Sequence, residues 1–138
     1  MTPSRSESRR AQVLVLHADL AQAIERLKET LSLPPTRIHK DATIQRFEFC
    51  FELAWKLLQA EIRYRGIDAY GPRDSIRVAA RLSLITDPEE WMDLLDARNI
   101  TVHVYKELSA DKTYKKAHLL IPLVEHLLAT IKKDSPLL

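Results

Sequence analysis

Apolar residues recur every three or four positions along most of this chain, which is the periodicity of an amphipathic α-helix. The first such run consists of Val13, Leu16, Leu20, Ile24, Leu27 and Leu31. Pro34 and Pro35 end it, because proline lacks an amide proton and pushes the preceding residue out of helical geometry. A second run, about residues 37 to 65, is apolar on two sides (Phe47, Phe51, Ala54, Leu58, Ile62 and Ile44, Leu53, Leu57, Ala60, Tyr64). A helix that is apolar on two sides belongs at the centre of a bundle.

Helix boundaries can be read from capping residues. Gly66 is a C-terminal cap for the second helix, and Gly71-Pro72 begins a short third one that turns Ile76, Ala79, Ala80 and Ser83 inward. Asp87-Pro88 begins the fourth helix. A cap at Ser109 to Asp111 begins the last, whose apolar positions are Tyr114, Ala117, Ile121, Val124, Leu128 and Ile131. Pro122 lies inside that pattern and predicts a kink near His118 or an outright break.

These elements predict an all-α protein, an up-and-down four-helix bundle with an additional short helix. The chain has two glycines and no sustained strand-like alternation, which agrees with that class. A length of 138 residues suits one domain, 1–138, with residues 1–8 expected to be flexible because they are polar.

Charge and cysteine content narrow the setting without deciding the function. The net charge of +2 permits transient contact with RNA but does not require it, and we expect no DNA partner. Cys50 is the single cysteine and lies among aromatic residues, so we expect it to be inert core in a reducing compartment. No hydrophobic signal core or membrane-length apolar run is present. We therefore expect a cytoplasmic location and no membrane association.

The segment from Arg98 to Tyr105 concentrates the chemistry of the chain. Asn99 and His103 are four residues apart and share a helix face, while Arg98 and Tyr105, seven apart, share a neighbouring edge. Arginine holds phosphate through a planar, permanently charged fork, and histidine exchanges protons near neutrality. These groups suffice for metal-free phosphodiester chemistry. The competing interpretation of Arg98 is an ion pair on its own helix, with Asp93, Asp96 or Glu90.

The same residues carry a family resemblance. Arg98-Asn99-(three residues)-His103-x-Tyr105 resembles the Arg-x4-His-x-Tyr signature of HEPN domains, which are all-α ribonucleases common in prokaryotic toxin modules. The block from Asp41 to Lys56 is similar to the "QRFEFxFELAWK" segment of the nucleotidyltransferase substrate-binding subfamily. With Gly71-Pro72-Arg73-Asp74 and Trp91, the resemblance covers roughly residues 10 to 130.

The resemblance implies a metal-independent endoribonuclease toxin of a toxin-antitoxin module that needs no cofactor. Arg98 would stabilise the phosphate, His103 would handle protons, and Asn99 would orient the imidazole or bind the ribose. Tyr105 would accept nucleotidyl groups from a partner minimal nucleotidyltransferase that silences the nuclease; alternatively, it is a half-buried ring with a wet hydroxyl. The family also implies a homodimer with one shared RNA path.

Two further groups of side chains are candidates for supporting or ligand-binding roles. Glu48 and Glu52 stack on one face of the second helix, where paired carboxylates can share proton work or bind a cation. The alternatives are salt bridges to Lys56 or Arg46, or polar support of the signature, and we favour support over catalysis. Arg73 and Arg77, followed by Arg81, line one face of the third helix and could follow a phosphate backbone, although a solvated face is commoner. Phe47, Phe51 and Trp55 fit core better than a base-stacking platform. The histidines show no metal-ligand spacing, so no metal site is expected.

Functional classes other than a nuclease fit parts of this sequence to different degrees. The chain lacks the Gly-Ser and paired-aspartate pattern of a nucleotidyltransferase and is not the transferase itself. It could instead be a non-catalytic subunit that binds a substrate or nucleotide for a separate nucleotidyltransferase. A purely structural helical partner would explain the bundle, but not why a helix end groups Arg98, Asn99, His103 and Tyr105.

Overall fold

Five α-helices build the computed structural model, which describes residues 2–103 and 107–134, with side chains for 2–100 and 110–134. They are α1 (Arg5–Leu31), α2 (Arg37–Tyr64), α3 (Gly71–Arg81), α4 (Pro88–His103) and α5 (Glu107–Asp134). Four helices of 16 to 28 residues and one of 11 residues form a bundle, and the described residues contain no strand. The all-α prediction is confirmed. No helix in this part of the chain has the length and apolar character needed to cross a bilayer.

The central helix of the bundle is α2, which packs against each of the other four helices. Its two apolar stripes explain this position, because a helix that is apolar on two sides can pack against neighbours on both. Phe51 is fully buried, and its ring centroid lies 6.3 Å from that of Phe47 and 6.2 Å from that of Trp91 on α4. These rings join α2 to α4 in the core. Cys50 is also fully buried, and burial raises the pKa of its thiol to about 12, as expected of an inert core residue.

The first helix begins earlier than its apolar pattern indicates. Ser4 is the N-cap: its hydroxyl accepts a hydrogen bond from the Glu7 amide, and the Glu7 carboxylate accepts one from the Ser4 amide. This reciprocal capping box satisfies two amides that would otherwise lack helical partners. Residues 5 to 8, within the segment expected to be flexible, are therefore helical in the structure.

The helices α2 and α3 end in the same way, although only one end was predicted. After α2, the amide of Gly66 (φ 84°) donates to the Arg63 carbonyl and that of Ile67 to the Ile62 carbonyl, which is a Schellman cap. After α3, Ser83 (φ 60°) and Leu84 donate to Ala80 and Ala79 in the same pattern. The prediction that Ser83 faces inward was wrong. Ser83 is exposed because it occupies the left-handed capping position.

The last helix also departs from its predicted start. It begins by Glu107, so Ser109 is a helical residue and not the predicted cap. A capping residue is only a weak barrier to helix extension when the preceding residues also tolerate helical geometry. The helix is continuous through Pro122, which excludes an outright break there. Ala117, Val124 and Ile131 are fully buried, as the pattern predicts.

Candidate active site

The signature segment lies at the end of α4, where that helix leaves the core. Trp91, Leu94 and Leu95 are buried, whereas Arg98 and Asn99 are half-buried and Ile100 is exposed. The backbone of α4 is helical through His103, so Asn99 and His103 share one face as predicted. The side chain of His103 and the whole of Tyr105 lie outside the described residues.

Arg98 binds a carboxylate on another helix. Its Nη2 donates to Glu52 Oε2 on α2 at 2.7 Å, and its Nη1 donates to Asn99 Oδ1 at 3.1 Å. The side chains of Arg98 and Glu52 are 26% and 31% exposed, so water screens this pair less than an ion pair on the open surface. The sequence offered acids of α4 itself as partners for Arg98, but the carboxylate that forms this short contact belongs to α2.

Glu52 is itself held by two neighbours on α2. The indole Nε1 of Trp55 donates to Glu52 Oε2 at 3.0 Å, and Nζ of Lys56 lies 3.7 Å from Glu52 Oε1. The Trp55 ring is partly buried and packs against the hydrophobic core. The prediction that Trp55 belongs to the core is therefore correct for the ring, but it missed the polar contact made by the indole nitrogen. The three-residue spacing of Glu52 and Trp55 was the signal that could have revealed this contact.

Asn99 is oriented by its sequence neighbour. Because its Oδ1 accepts a hydrogen bond from Arg98, the two N–H donors of its amide remain for groups on the other side. An amide donor on the face shared with His103 can contact an imidazole or a ribose hydroxyl. The arrangement thus places a guanidinium, which is able to bind an anion, and an amide side by side.

Glu48 is not joined to this group. It is half-buried one helical turn before Glu52, and no hydrogen bond or ion pair joins it to another of the described side chains. The structure therefore distinguishes the two glutamates that the sequence placed together, because among the described side chains Glu52 binds Arg98 and Glu48 makes no such contact.

Of the three arginines of α3, the structure shows Arg73 in contact with α4. Arg73 lies 3.5 Å from Asp96 Oδ1 and 3.7 Å from Met92 Sδ, so it reaches α4 one turn before Asn99. Arg77 and Arg81 are exposed and follow Arg73 at four-residue intervals along the helix. The row is a basic surface that begins beside the signature helix and runs away from it along α3.

One ionisable group was missed entirely at the level of sequence. Glu61 on α2 is 3% exposed, and its Oε2 has no hydrogen-bond partner in the part of the chain that the structure describes, while Oε1 accepts a hydrogen bond from Arg65 Nε at 3.3 Å. Burial raises the pKa of Glu61, and the Arg65 guanidinium partly opposes that shift. Helical periodicity places Glu61 between buried Leu58 and half-buried Tyr64, but a glutamate is normally expected to be exposed.

The chain is similar in sequence to a known protein family. A family model described as "Nucleotidyltransferase substrate binding protein like" matches residues 17–133. A Haemophilus influenzae protein named "Probable ribonuclease HepT" is 38% identical over 76 residues, which are 51% of this chain and 52% of the relative. The match thus spans about half the length of that curated relative.

Two solved structures share the fold. A Thermus thermophilus protein is 34% identical with a TM-score of 0.74, and the match covers 80% of this chain and 96% of that protein. A tri-AMPylated Shewanella oneidensis HEPN toxin in complex with its MNT antitoxin gives a TM-score of 0.74 over 88% of this chain and 96% of the toxin. At 21% identity, the second similarity shows the fold alone.

Proposed function

Since the chain belongs to the family described as "Nucleotidyltransferase substrate binding protein like", we propose that it is the HEPN-type ribonuclease toxin of a toxin-antitoxin pair. The observation that supports this proposal is the contact of Arg98 with Glu52 and Asn99 on the helix that ends at His103. A structural arginine would be satisfied by any acid nearby. Here the guanidinium is held beside an amide and one turn from a histidine, which are the groups that RNA cleavage without a metal needs.

The proposed reaction is an internal transesterification of RNA. The ribose 2'-oxygen attacks the adjacent phosphorus, the bond to the 5'-oxygen breaks, and the products carry a 2',3'-cyclic phosphate and a 5'-hydroxyl. His103 takes the proton of the 2'-hydroxyl or supplies one to the leaving 5'-oxygen, since imidazole titrates near neutrality. Arg98 binds the phosphate oxygens as negative charge develops on them. Asn99 binds the ribose or orients the imidazole.

The RNA path would run beside α4 and α3. Arg73 on α3 reaches Asp96, which lies one turn before Asn99 on α4, and Arg77 is exposed one turn further along α3. Lys112 and Lys116 of α5 line a groove of about 110 Å³ on the side of α4 that carries Ile100. Cationic side chains bind phosphates without reading the base sequence. A homodimer that brings two such surfaces together would lengthen the RNA path. We expect the protein to act in the cytoplasm.

The proposed partner is a minimal nucleotidyltransferase that acts as antitoxin. It would transfer a nucleotidyl group from a nucleoside triphosphate to the Tyr105 hydroxyl, with release of pyrophosphate. The added phosphate would place negative charge two residues after His103 and repel RNA. The Shewanella oneidensis toxin carries three AMP groups in its complex with an antitoxin. Intact mass after incubation with the partner and ATP tests this step: Tyr105→Phe must lose an addition that the parent chain shows.

The nuclease proposal is tested with purified protein and RNA. We expect Arg98→Ala and His103→Ala to abolish cleavage and growth inhibition, whereas the parent yields 2',3'-cyclic phosphate ends in the presence of EDTA. Arg37→Ala and His126→Ala are matched controls, because both residues are exposed and lie outside the site. If the parent leaves RNA intact, or if both site variants cleave like the controls, the proposal is wrong.

A second function is favoured by a groove elsewhere on the bundle. Between α1 and α2 a cavity of about 440 Å³ is lined by Ala23, Arg26, Glu29, Gln45, Arg46 and Phe49. Phe49 is 57% exposed, an unusual position for a phenylalanine. An aromatic face beside two guanidinium groups suits a nucleotide that a separate transferase would use. Calorimetry with ATP tests this alternative: a non-catalytic binding subunit requires binding that Phe49→Ala weakens.

A further inference from the structure

We propose that Trp55 is a positioning residue for Arg98 and acts through the Glu52 carboxylate. The expected effect on catalysis rests on the proposed nuclease function, whereas the hydrogen bonds themselves do not depend on that function. It assigns a role to a tryptophan whose ring alone would mark it as core.

Four side chains form a hydrogen-bonded chain from α2 to α4. Trp55 Nε1 and Arg98 Nη2 both donate to the same oxygen, Glu52 Oε2, at 3.0 and 2.7 Å. The guanidinium then donates through Nη1 to Asn99 Oδ1 at 3.1 Å. The Glu52 carboxylate thus holds Nη2 of the guanidinium, and Nη1 of the same guanidinium holds the amide oxygen of Asn99.

Trp55 is the rigid end of this chain. Its ring packs against the hydrophobic core, so the indole N–H has a fixed direction, and indole is a donor only. The other neighbour of Glu52, Lys56, is 48% exposed and lies at 3.7 Å, so it adds charge but little direction. The short bond from indole to carboxylate thus transmits the rigidity of the core to a half-exposed site.

Loss of the indole donor should affect turnover more than binding. Without it, the Glu52 carboxylate can rotate, and Arg98 keeps its charge but loses its fixed direction toward the reacting phosphate. Ground-state attraction of RNA depends mainly on charge, whereas transition-state stabilisation depends on placement. Misplacement by about 1 Å can cost roughly 100-fold in rate. We expect a smaller loss in kcat for Trp55→Phe, about 10-fold, with little change in KM.

The experiment compares three variants. Trp55→Phe keeps an aromatic ring but removes the N–H, and Glu52→Gln keeps the shape of the acceptor but removes its charge. Tyr64→Phe is the matched control: this half-buried ring on α2 also makes a polar contact, as its hydroxyl accepts from Arg10 Nη1 at 3.2 Å, away from the signature. We expect kcat to fall in the first two variants and to stay unchanged in the control. If Trp55→Phe does not fold, Glu52→Gln carries the test.

A second measurement does not need activity. Among the indole N–H signals of the two tryptophans, the Trp55 signal should shift in Glu52→Gln, and the Arg98 Nε–H signal should become more mobile in both variants, measured by ¹⁵N relaxation without RNA. Unchanged Arg98 mobility and unchanged kcat in both variants would overturn the positioning role while the nuclease proposal stands. A parent chain that leaves RNA intact would overturn the nuclease proposal, and the relaxation data would then decide the inference alone.

Discussion

The ion pair between Arg98 and Glu52 should stabilise the fold measurably, unlike most ion pairs at protein surfaces. The perturbation is a double-mutant cycle with Glu52→Ala, Arg98→Ala and the double variant, read as the free energy of unfolding in urea. The cycle isolates the energy of this pair from other contacts that each side chain makes.

The expected magnitude follows from distance and burial. Two unit charges about 4 Å apart attract by about 4 kcal/mol at an effective dielectric constant of about 20. Desolvation and the ordering of two long side chains oppose this attraction, and hydrogen bonds to charged groups contribute about 1.5–3 kcal/mol net. With 26% and 31% of the side chains exposed and a distance of 2.7 Å, we expect a coupling energy of about 1.5 kcal/mol.

The chain provides its own control pair. Arg73 and Asp96 also join two helices, but they are 3.5 Å apart and 50% and 60% exposed, so their coupling should be about 0.5 kcal/mol or less. In about 1 M salt, where the screening length falls to about 3 Å, the exposed pair should lose more of its coupling than the shielded pair. Equal coupling energies for the two pairs, or a value near zero for Arg98 and Glu52, would refute the reasoning from burial.

Three further predictions concern the fold. Burial raises the pKa of Glu61 above its ordinary value of 4.5, so the folded state binds this proton more tightly than the unfolded state. The contribution of Glu61 to the free energy of unfolding therefore falls as the pH rises above 4.5. Glu61→Gln should remove this pH dependence from the free energy of unfolding measured in urea, and an identical pH dependence in the variant contradicts the prediction. Ser83→Gly should raise stability by about 0.5–1 kcal/mol because Ser83 has a positive φ, whereas Gly66→Ala should lower it by about 1 kcal/mol; opposite signs in thermal melts test both. The Cys50 thiol, buried and with its pKa raised to about 12, should not react with a disulfide reagent at about pH 8 until the protein unfolds, and rapid labelling of the folded chain would count against its burial.

Much of the fold could be predicted because it depends on local rules. The bounds of α2 follow from Pro35 and Gly66, which act on the backbone within a few residues, and its burial follows from apolar side chains on two faces. The exceptions are also local but ambiguous. Ser83 takes a conformation that glycine usually signals, and Ser109 lies inside a helix that its side chain could have capped.

The candidate site could likewise be predicted only where it depends on local rules. Spacing alone places Asn99 and His103 on one face of a helix, since about 3.6 residues per turn holds wherever a helix forms. It could not identify the partner of Arg98, because acids on the same helix were equally available and the residue that binds it is 46 positions away. Nor could it show that the Trp55 indole reaches Glu52.

The sequence by itself determined the helices, their apolar faces and the group of reactive side chains at the end of α4, because periodicity and capping act over a few residues. The packing of α2 against the other helices decided which acid meets Arg98 and that Glu61 is buried. Those outcomes depend on the rotation and depth of one helix against another, which are set by the whole core and by no single segment of the chain.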